Sequence, residues 1–448
     1  MISNRFYYYL TLMAATFILS SCLDSDNNNV EYEYSADAQI TSLRLSSSED
    51  SLKVLPGIEF SINQVSSAPI IFNKDSLPYL FDVENVSMNI TTNNASGIKI
   101  HLSNDSSYIW NMTDSVLVKK LRLIEVFAQD GKTKKTYTFK LTTHQQDPDT
   151  IFWQNVENNY IPAPTDQVTV SNKSSFFTYH KTNSTLQLST SLIVDGETWT
   201  SKLLNGLPQN VVLNSIRNEV FEERDLWFAL DTNNKVYLSE NGVDWTEQSS
   251  DYPIKAIFGK LPSFTKDSVL TIVEDGDKYK FAKTIDFSTL HVLNEIPVGF
   301  PIEEFTTAKV KDLLIYTAKY LVVTGGKSIN GMLNRNIWLL QESEDKITFT
   351  SKRLQFNVLG SSLFNYDNKI YLLTSEDNKN VFYTSTNYGV FWEKANSKQS
   401  LPIEFINRTN HSVHVDSKNN IWIFGGVSSN QRQFVEIWKG RINKLFVQ

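Results

Sequence analysis

Val381-Phe382-Tyr383-Thr384-Ser385-Thr386-Asn387-Tyr388-Gly389-Val390-Phe391-Trp392 is the stretch whose reading decides the fold. An apolar strand runs into Ser, Asn and Gly, and a Trp opens the next strand. This is hairpin chemistry. The Ser hydroxyl and the Asn side chain bond turn backbone groups, Gly takes the left-handed conformation, and Trp folds back over the turn. The pattern returns at Val236-Tyr237-Leu238-Ser239-Glu240-Asn241-Gly242-Val243-Asp244-Trp245. Without the serine it returns at Ile193-Val194-Asp195-Gly196-Glu197-Thr198-Trp199. More degenerate copies start at Tyr279 and Ile337. A second element alternates with the first. "YLVVTGG" ends at Gly326 with Trp338 12 positions later, and "IWIFGG" ends at Gly426 with Trp438 12 positions later. The glycine pairs stand 100 residues apart, and Trp199 and Trp245 stand 46 apart. A unit of about 45–50 residues matches a four-stranded module.

The turn resembles the Asp-box, or BNR repeat, of sialidase-type propellers. The copy at Ser385, Asn387, Gly389 and Trp392 fits best, with Asn in the Asp place, and the copy at Ser239 is one residue shorter. The paired glycines and distant Trp resemble kelch blades. Residues 151–448 are therefore expected to form a six-bladed β-propeller, with seven blades as the alternative and an array of sandwiches as the structural competitor. The cuts fall near 160–206, 207–250, 251–298, 299–355, 356–399 and 400–448. Such repeats gain stability by leaning on neighbours in a ring. The terminal strand within "EIWKGRINKLFVQ" is expected in a blade completed by residues near the start of the domain.

Upstream, residues 36–145 show period-two alternation. Ile40, Leu43 and Leu45, then Ile58, Phe60 and Ile62, then Val86, Met88 and Ile90, then Ile98, Ile100 and Leu102 each mark one face of a half-buried strand. Leu121 to Thr143 reads as a β-hairpin in which Asp130-Gly131 supplies the positive φ angles of a tight turn. Lys132, Lys134 and Lys135 beside it read as a solvated turn with edge-protecting lysines. About seven short strands suggest a β-sandwich. "VFAQDGKTKKTYTFKL" resembles the final hairpin of Ig-like or cadherin-like modules of bacterial surface lipoproteins. The polar stretch 144–150, with Pro148 inside it, reads as a linker, and eight of the nine Trp lie at 153 or beyond.

The N-terminus carries an address. Arg5 precedes an apolar stretch of 15 residues, Phe6 to Ser20. A membrane span needs about 20, so residues 1–21 read as a signal peptide. Leu19-Ser20-Ser21-Cys22 resembles the bacterial lipobox, which implies lipidation of Cys22 and an anchor rather than a span. Cys22 is the only cysteine, so no intrachain disulfide forms. Residues 22–35 begin with "CLDSDNNN" and read as an acidic tether. They resemble the acidic segment of surface-exported lipoproteins of Bacteroidetes, and a plain spacer fits equally. The implied location is the outer membrane, on its periplasmic or cell-surface face.

Composition narrows the function classes. The net charge of −7 argues against nucleic acid as a partner, because phosphate needs a basic footprint. No phosphate loop, Rossmann fingerprint or nucleophile elbow is present. The resemblance to sialidases implies an arginine triad with one Arg in a Phe-Arg-Ile-Pro motif. None of Arg217, Arg224, Arg335, Arg353, Arg408, Arg432 and Arg441 stands in that context. The Asp-box itself implies a turn away from the ligand face. Glu222-Glu223-Arg224-Asp225 reads as a charged loop, and Asp275-Gly276-Asp277 as a hairpin turn. His411 and His414 are three apart, so on a strand they face opposite sides and do not share a metal. No catalytic, cofactor or metal residue is assigned, and no cofactor is expected. Asp50-Ser51-Leu52, Asp75-Ser76-Leu77, Asp114-Ser115-Val116, Asp149-Thr150-Ile151 and Asp267-Ser268-Val269 resemble an O-glycosylation sequon of Bacteroidetes. The layout as a whole resembles an uncharacterised lipoprotein family of that phylum. Two functional classes follow: a non-catalytic protein that binds a glycan or protein at the propeller mouth, or a glycoside hydrolase or lyase with an unmarked site.

Overall fold

The computed structural model describes residues 33–65, 67–263, 266–311, 319–387 and 389–444. The expected signal peptide, Cys22 and most of the expected tether lie outside the described residues. The chain divides into two compact units at Asp147–Pro148. Among the described residues no helix is long and apolar enough to cross a membrane.

In the first unit a three-stranded sheet joins Ile40–Ser46, Asn85–Thr92 and Val116–Leu117. A six-stranded sheet runs in the order Phe60–Asn63, Ile70–Asn73, Lys134–Lys140, Leu121–Ala128, Ala95–Leu102 and Ser107–Trp110. Val86, Met88, Ile98 and Ile100 are buried in one shared core, as their two-residue spacing requires. The hairpin forms, but its turn is wider than the Asp-Gly reading. Only Gly131 is left-handed, at φ 66°. The Asp130 carboxylate instead accepts the N–H groups of Lys132 and Thr133 at 2.9 and 2.7 Å. Lys132 lies in the turn, and Lys134 and Lys135 open a strand that is inside the sheet only from Thr138 onward, where it pairs in parallel with Ile70–Asn73; the two lysines are engaged rather than simply solvated. Lys134 bonds Glu125 at 2.8 Å, and Lys135 bonds the Gln64 side chain at 2.9 Å.

The described residues of the second unit form six four-stranded antiparallel sheets. Sheet I holds Asp166–Ser171, Ser175–Thr182, Thr185–Leu192 and Thr200–Lys202. Sheet II holds Arg217–Phe221, Arg224–Leu230, Val236–Ser239 and Thr246–Gln248. Sheet III holds Ile254–Leu261, Ser268–Asp275, Lys278–Thr284 and His291–Glu295. Sheet IV holds Pro301–Lys311, Lys319–Ser328, Asn336–Ser343 and Lys346–Arg353. Sheet V holds Ser362–Tyr366, Lys369–Glu376, Lys379–Ser385 and Glu393–Lys394. Sheet VI holds Ser412–Val415, Ile421–Phe424 and Ile437–Ile442, and its outer strand is Ile151–Glu157. The expected union of the two ends is therefore present: Ile151 pairs with Ile442 and Trp153 with Gly440. The first strands touch in a closed cycle from I through VI and back to I.

Apolar burial explains the cycle. Each hydrophobic cluster of this unit is shared by two consecutive sheets. Tyr179 of sheet I packs with Trp227 of sheet II, Phe228 of II with Phe287 in the last turn of III, and Phe281 of III with Trp338 of IV. Val322 of IV packs with Leu372 of V, Phe364 of V with Trp438 of VI, and Trp422 of VI with Phe176 of I. A lone sheet would leave these faces in water.

The turns after the third strands lock the sheets together. Ser385 Oγ accepts the Gly389 N–H at 2.9 Å, Asn387 Oδ1 accepts the Phe391 N–H at 2.8 Å, and the Trp392 indole N–H donates to Gly389 O at 2.8 Å. Ser239, Asn241, Gly242 and Trp245 repeat this at 2.9, 2.8 and 3.3 Å. In the copy lacking serine, Trp199 still donates to Gly196 O at 3.0 Å. These glycines sit against the preceding sheet. A Cβ at Gly196 would lie 2.5 Å from Trp422, and the Tyr179 hydroxyl donates to Gly242 O at 2.5 Å. In sheet III the glycine place is taken by Phe287, left-handed at φ 62° and fully buried against Phe228. Burial of a Phe outweighs the roughly 1–2 kcal/mol cost of a left-handed non-glycine residue. In sheet IV the copy from Ile337 closes instead in a tight turn at Glu344.

Two other readings change. Glu222 and Glu223 make a left-handed two-residue turn, whereas Arg224 and Asp225 begin the second strand of sheet II rather than a loop. Of the sequon hydroxyls, Ser51 and Ser115 are exposed, but Ser268 is 6% exposed and sits inside the fold.

The histidines join sheets. His414 Nε2 donates to Thr169 O at 2.7 Å, so its Nδ1 accepts from Ser171 Oγ at 3.0 Å, and this ties VI to I. His411 Nδ1 lies 2.6 Å from Ser362 Oγ and ties VI to V. Burial pushes His414 and His180 down to about 4 and His411 to about 3. The unfolded rings titrate near about 6.5. The neutral rings therefore contribute stability that is complete above about pH 6.5 and is lost as pH falls through about 4. Urea denaturation should show stability falling across that window, by about 1.4 kcal/mol per pH unit for each proton taken up on unfolding. A His414→Gln variant should show a slope smaller by about one proton. A stability flat across this window would contradict the buried neutral assignment.

Candidate functional site

Each first strand carries, near its C-terminal end, a polar residue followed directly by an apolar one. The pairs are Thr169-Val170, Glu219-Val220, Lys260-Leu261, Lys309-Val310, Asn365-Tyr366 and His414-Val415. Because the first strands form the inner cycle, these residues recur around one opening. There the structure holds a cavity of about 850 Å³, bordered by sheets II to VI. Asn218, Glu219, Lys260, Lys309, Asn365 and Asp367 line it, with Asp267, Lys369 and Asn419.

Glu219 organises this site. It is 8% exposed. Its Oε1 accepts the Lys260 N–H at 3.0 Å, and its Oε2 bonds the Lys309 ammonium. One carboxylate of sheet II thus holds the inner strands of III and IV. The approach needs Gly259, where the strand bulges and φ is 95°. A Cβ there would stand 2.5 Å from Glu219 Oε1.

The other charges are paired as well. Lys260 bonds Asp267 at 3.0 Å and Val220 O at 2.8 Å, and lies 4.9 Å from the centre of the Phe221 ring. Burial opposes ionisation of Asp267, but the Ser263 N–H and Lys260 outweigh it and hold its pKa below the usual carboxylate value. Asp367 bonds Lys444. Asn365 donates to Lys309 O, and the Tyr366 hydroxyl donates to Asn419 O at 3.2 Å. Burial pushes the Tyr366 hydroxyl up. Among the described residues no group of three or more His, Cys, Asp and Glu is placed to hold a metal ion.

The arginines weighed against a sialidase site do not converge here. Arg408 is buried between the Phe405 and Phe434 rings and bonds Glu436. Arg217 bonds backbone carbonyls at Asn214 and Ile216. His411 and His414 point to different sheets, as their spacing requires. One expectation changes. First and third strands end on the same side of an antiparallel sheet, and Ser385 and Thr386 line the cavity. The box turn therefore lies on the cavity face rather than away from it. Glu219, Lys260 and Lys309 were not singled out from sequence. The signal for them is the polar–apolar pair, visible only once the six first strands are aligned.

A Gly259→Ala variant should displace Glu219 and lose its bond to the Lys260 N–H. The expected cost is roughly 1–3 kcal/mol in urea denaturation. Stability equal to wild type would contradict the organising role of Glu219.

A family model described as the DUF6242 beta propeller domain matches residues 147–448. A second, described as the N-terminal domain of the same family and of unknown function, matches residues 28–141. No curated protein matches the chain significantly. Several solved structures match the chain at low identity. A protein of unknown function from Dyadobacter fermentans is 11% identical over 66% of this chain and 100% of its own, with a TM-score of 0.45. A DUF4623 family protein from Bacteroides eggerthii is 11% identical over 92% of this chain and 100% of its own, with a TM-score of 0.39. A lectin of Aleuria aurantia, in complex with a fucosylated GlcNAc, is 8% identical over 63% of this chain and 93% of its own, with a TM-score of 0.38. The chain belongs to the DUF6242 family, with that family's N-terminal domain followed by its β-propeller.

Proposed function

We propose that this is a lipid-anchored binding protein of the outer membrane whose propeller holds a glycan at the axial cavity without transforming it. In this reading the six sheets are the blades of a six-bladed propeller, and the Ser-Asn-Gly-Trp turns are Asp-boxes alternating with kelch-like glycine pairs. The N-terminal unit is an Ig-like sandwich that serves as a spacer. Cys22 carries the lipid, and the acidic tether extends from it.

One observation supports binding over catalysis. Glu219, Asp267 and Asp367 are each bonded to a lysine ammonium. Hydrolysis of a glycosidic bond needs one carboxyl group kept protonated beside an ionised one. Asp267 is held in its ionised form by the Ser263 N–H and Lys260, which outweigh its burial, and Glu219 has both oxygens engaged, by the Lys260 N–H and by Lys309. The amides of Asn218, Asn365, Asn368 and Asn419 also line the cavity, and an amide both donates to and accepts from sugar hydroxyls.

A glycan array probed with the full chain should give retained ligands, and reducing-end assays on the same glycans should show no cleavage. Turnover of a retained glycan would replace this reading with the glycoside hydrolase or lyase. For the anchor, Cys22→Ser should move the protein from the membrane fraction to the soluble fraction. Unchanged fractionation would remove the lipid from the account.

A further inference from the structure

We propose that the axial cavity selects an anionic saccharide, one bearing a carboxylate or a sulfate ester; this rests on the glycan-binding reading above. The argument is an accounting of what the cavity has left to offer. Each of its carboxylates already has a lysine partner. Glu219 gives one oxygen to the Lys260 N–H and the other to Lys309. Asp267 accepts the Ser263 N–H at 3.0 Å and the Lys260 ammonium. Asp367 is bonded to Lys444.

The spare capacity is in donors. Lys369 lines the cavity, is only partly buried, and its ammonium has no hydrogen bond or ion pair among the described residues. Lys309 uses one contact on Glu219, keeps two further N–H groups, and is 41% exposed.

Charge points the same way. Lys260, Lys309 and Lys369 line the cavity with Glu219, Asp267 and Asp367, so the lining itself is balanced. Lys444 then bonds Asp367 from outside, and Lys319 lowers the pKa of Asp267 from nearby. Arg441 and Asp416 act on Tyr366 with opposite sign. Among the described residues, Lys444 and Lys319 therefore stand beside a balanced lining on a chain whose net charge is −7. Cations placed around a concave opening raise the local concentration of anionic ligands.

The test uses the full chain in affinity electrophoresis against two matched pairs of probes. Polygalacturonate is set against its fully methyl-esterified form, and dextran sulfate against dextran. Within each pair the backbone is shared and the charge differs. At least one charged polymer should retard the protein, with retardation weakening as salt rises, while its neutral partner does not. Which pair responds distinguishes carboxylate from sulfate. Lys369→Gln should weaken binding about tenfold, and Lys346→Gln, exposed on an outer strand, should leave it unchanged. Lys309→Gln, with its melting curve recorded, serves as a second cavity variant. Equal retardation by neutral and charged partners would overturn the anionic inference and leave glycan binding standing. Retardation by none of the four would overturn both. An equal loss in Lys346→Gln and Lys369→Gln would move binding off the cavity and overturn the assignment.

Discussion

The second unit depends on a single pairing between its ends. Ile151–Glu157 lies antiparallel to Ile437–Ile442 and supplies the outer strand of sheet VI. Without it that sheet keeps three strands, and Trp438 loses cover on its outer side. The consequence is not local. Every apolar cluster of the unit is shared by two neighbouring sheets, so no sheet has a core of its own. Stability is then a property of the cycle, and the closing strand is what lets the first and last sheets bury their shared face. Phe176, Trp422 and Phe424 form that face, with ring centres 4.7 to 6.3 Å apart.

The cavity is a product of the same cycle. Inner strands that meet side by side leave an opening at their ends, and whichever residues stand there face one another. In this chain they are Glu219, Lys260, Lys309 and Asn365, drawn from four sheets and separated by more than 140 residues of sequence. Glu219 serves fold and site at once. It fixes the bulge at Gly259, aligns sheets II, III and IV, and presents Lys309 to the opening. A ligand bonded to Lys309 is held by a group that also joins sheets II and IV, so binding there and ring stability are coupled.

Much of the architecture was legible because its signals are local. Ser385, Asn387, Gly389 and Trp392 specify a turn within one hairpin, and their hydrogen bonds follow from their spacing. The union of the two ends was legible because the last strand alternates and needs a partner. Phe287 was harder, because burial let a bulky residue occupy a left-handed position where the pattern asks for glycine. The parallel neighbour of the first unit's hairpin was illegible because strand order is not local: Ile70–Asn73 comes from far upstream to pair with Thr138 to Lys140. The cavity was illegible for the same reason. A lone Glu or Lys near the end of a strand looks like any solvated residue, and only the closed ring brings Glu219 against Lys309.

The most direct test of this dependence is a chain ending at Glu436, compared with the full chain by thermal melting and by hydrogen exchange resolved to each sheet. The account predicts that protection disappears from all six sheets together and that the propeller transition is lost. Sheets I to V retaining their protection and melting temperature, with only sheet VI exchanging freely, would show that the sheets stand without the circle.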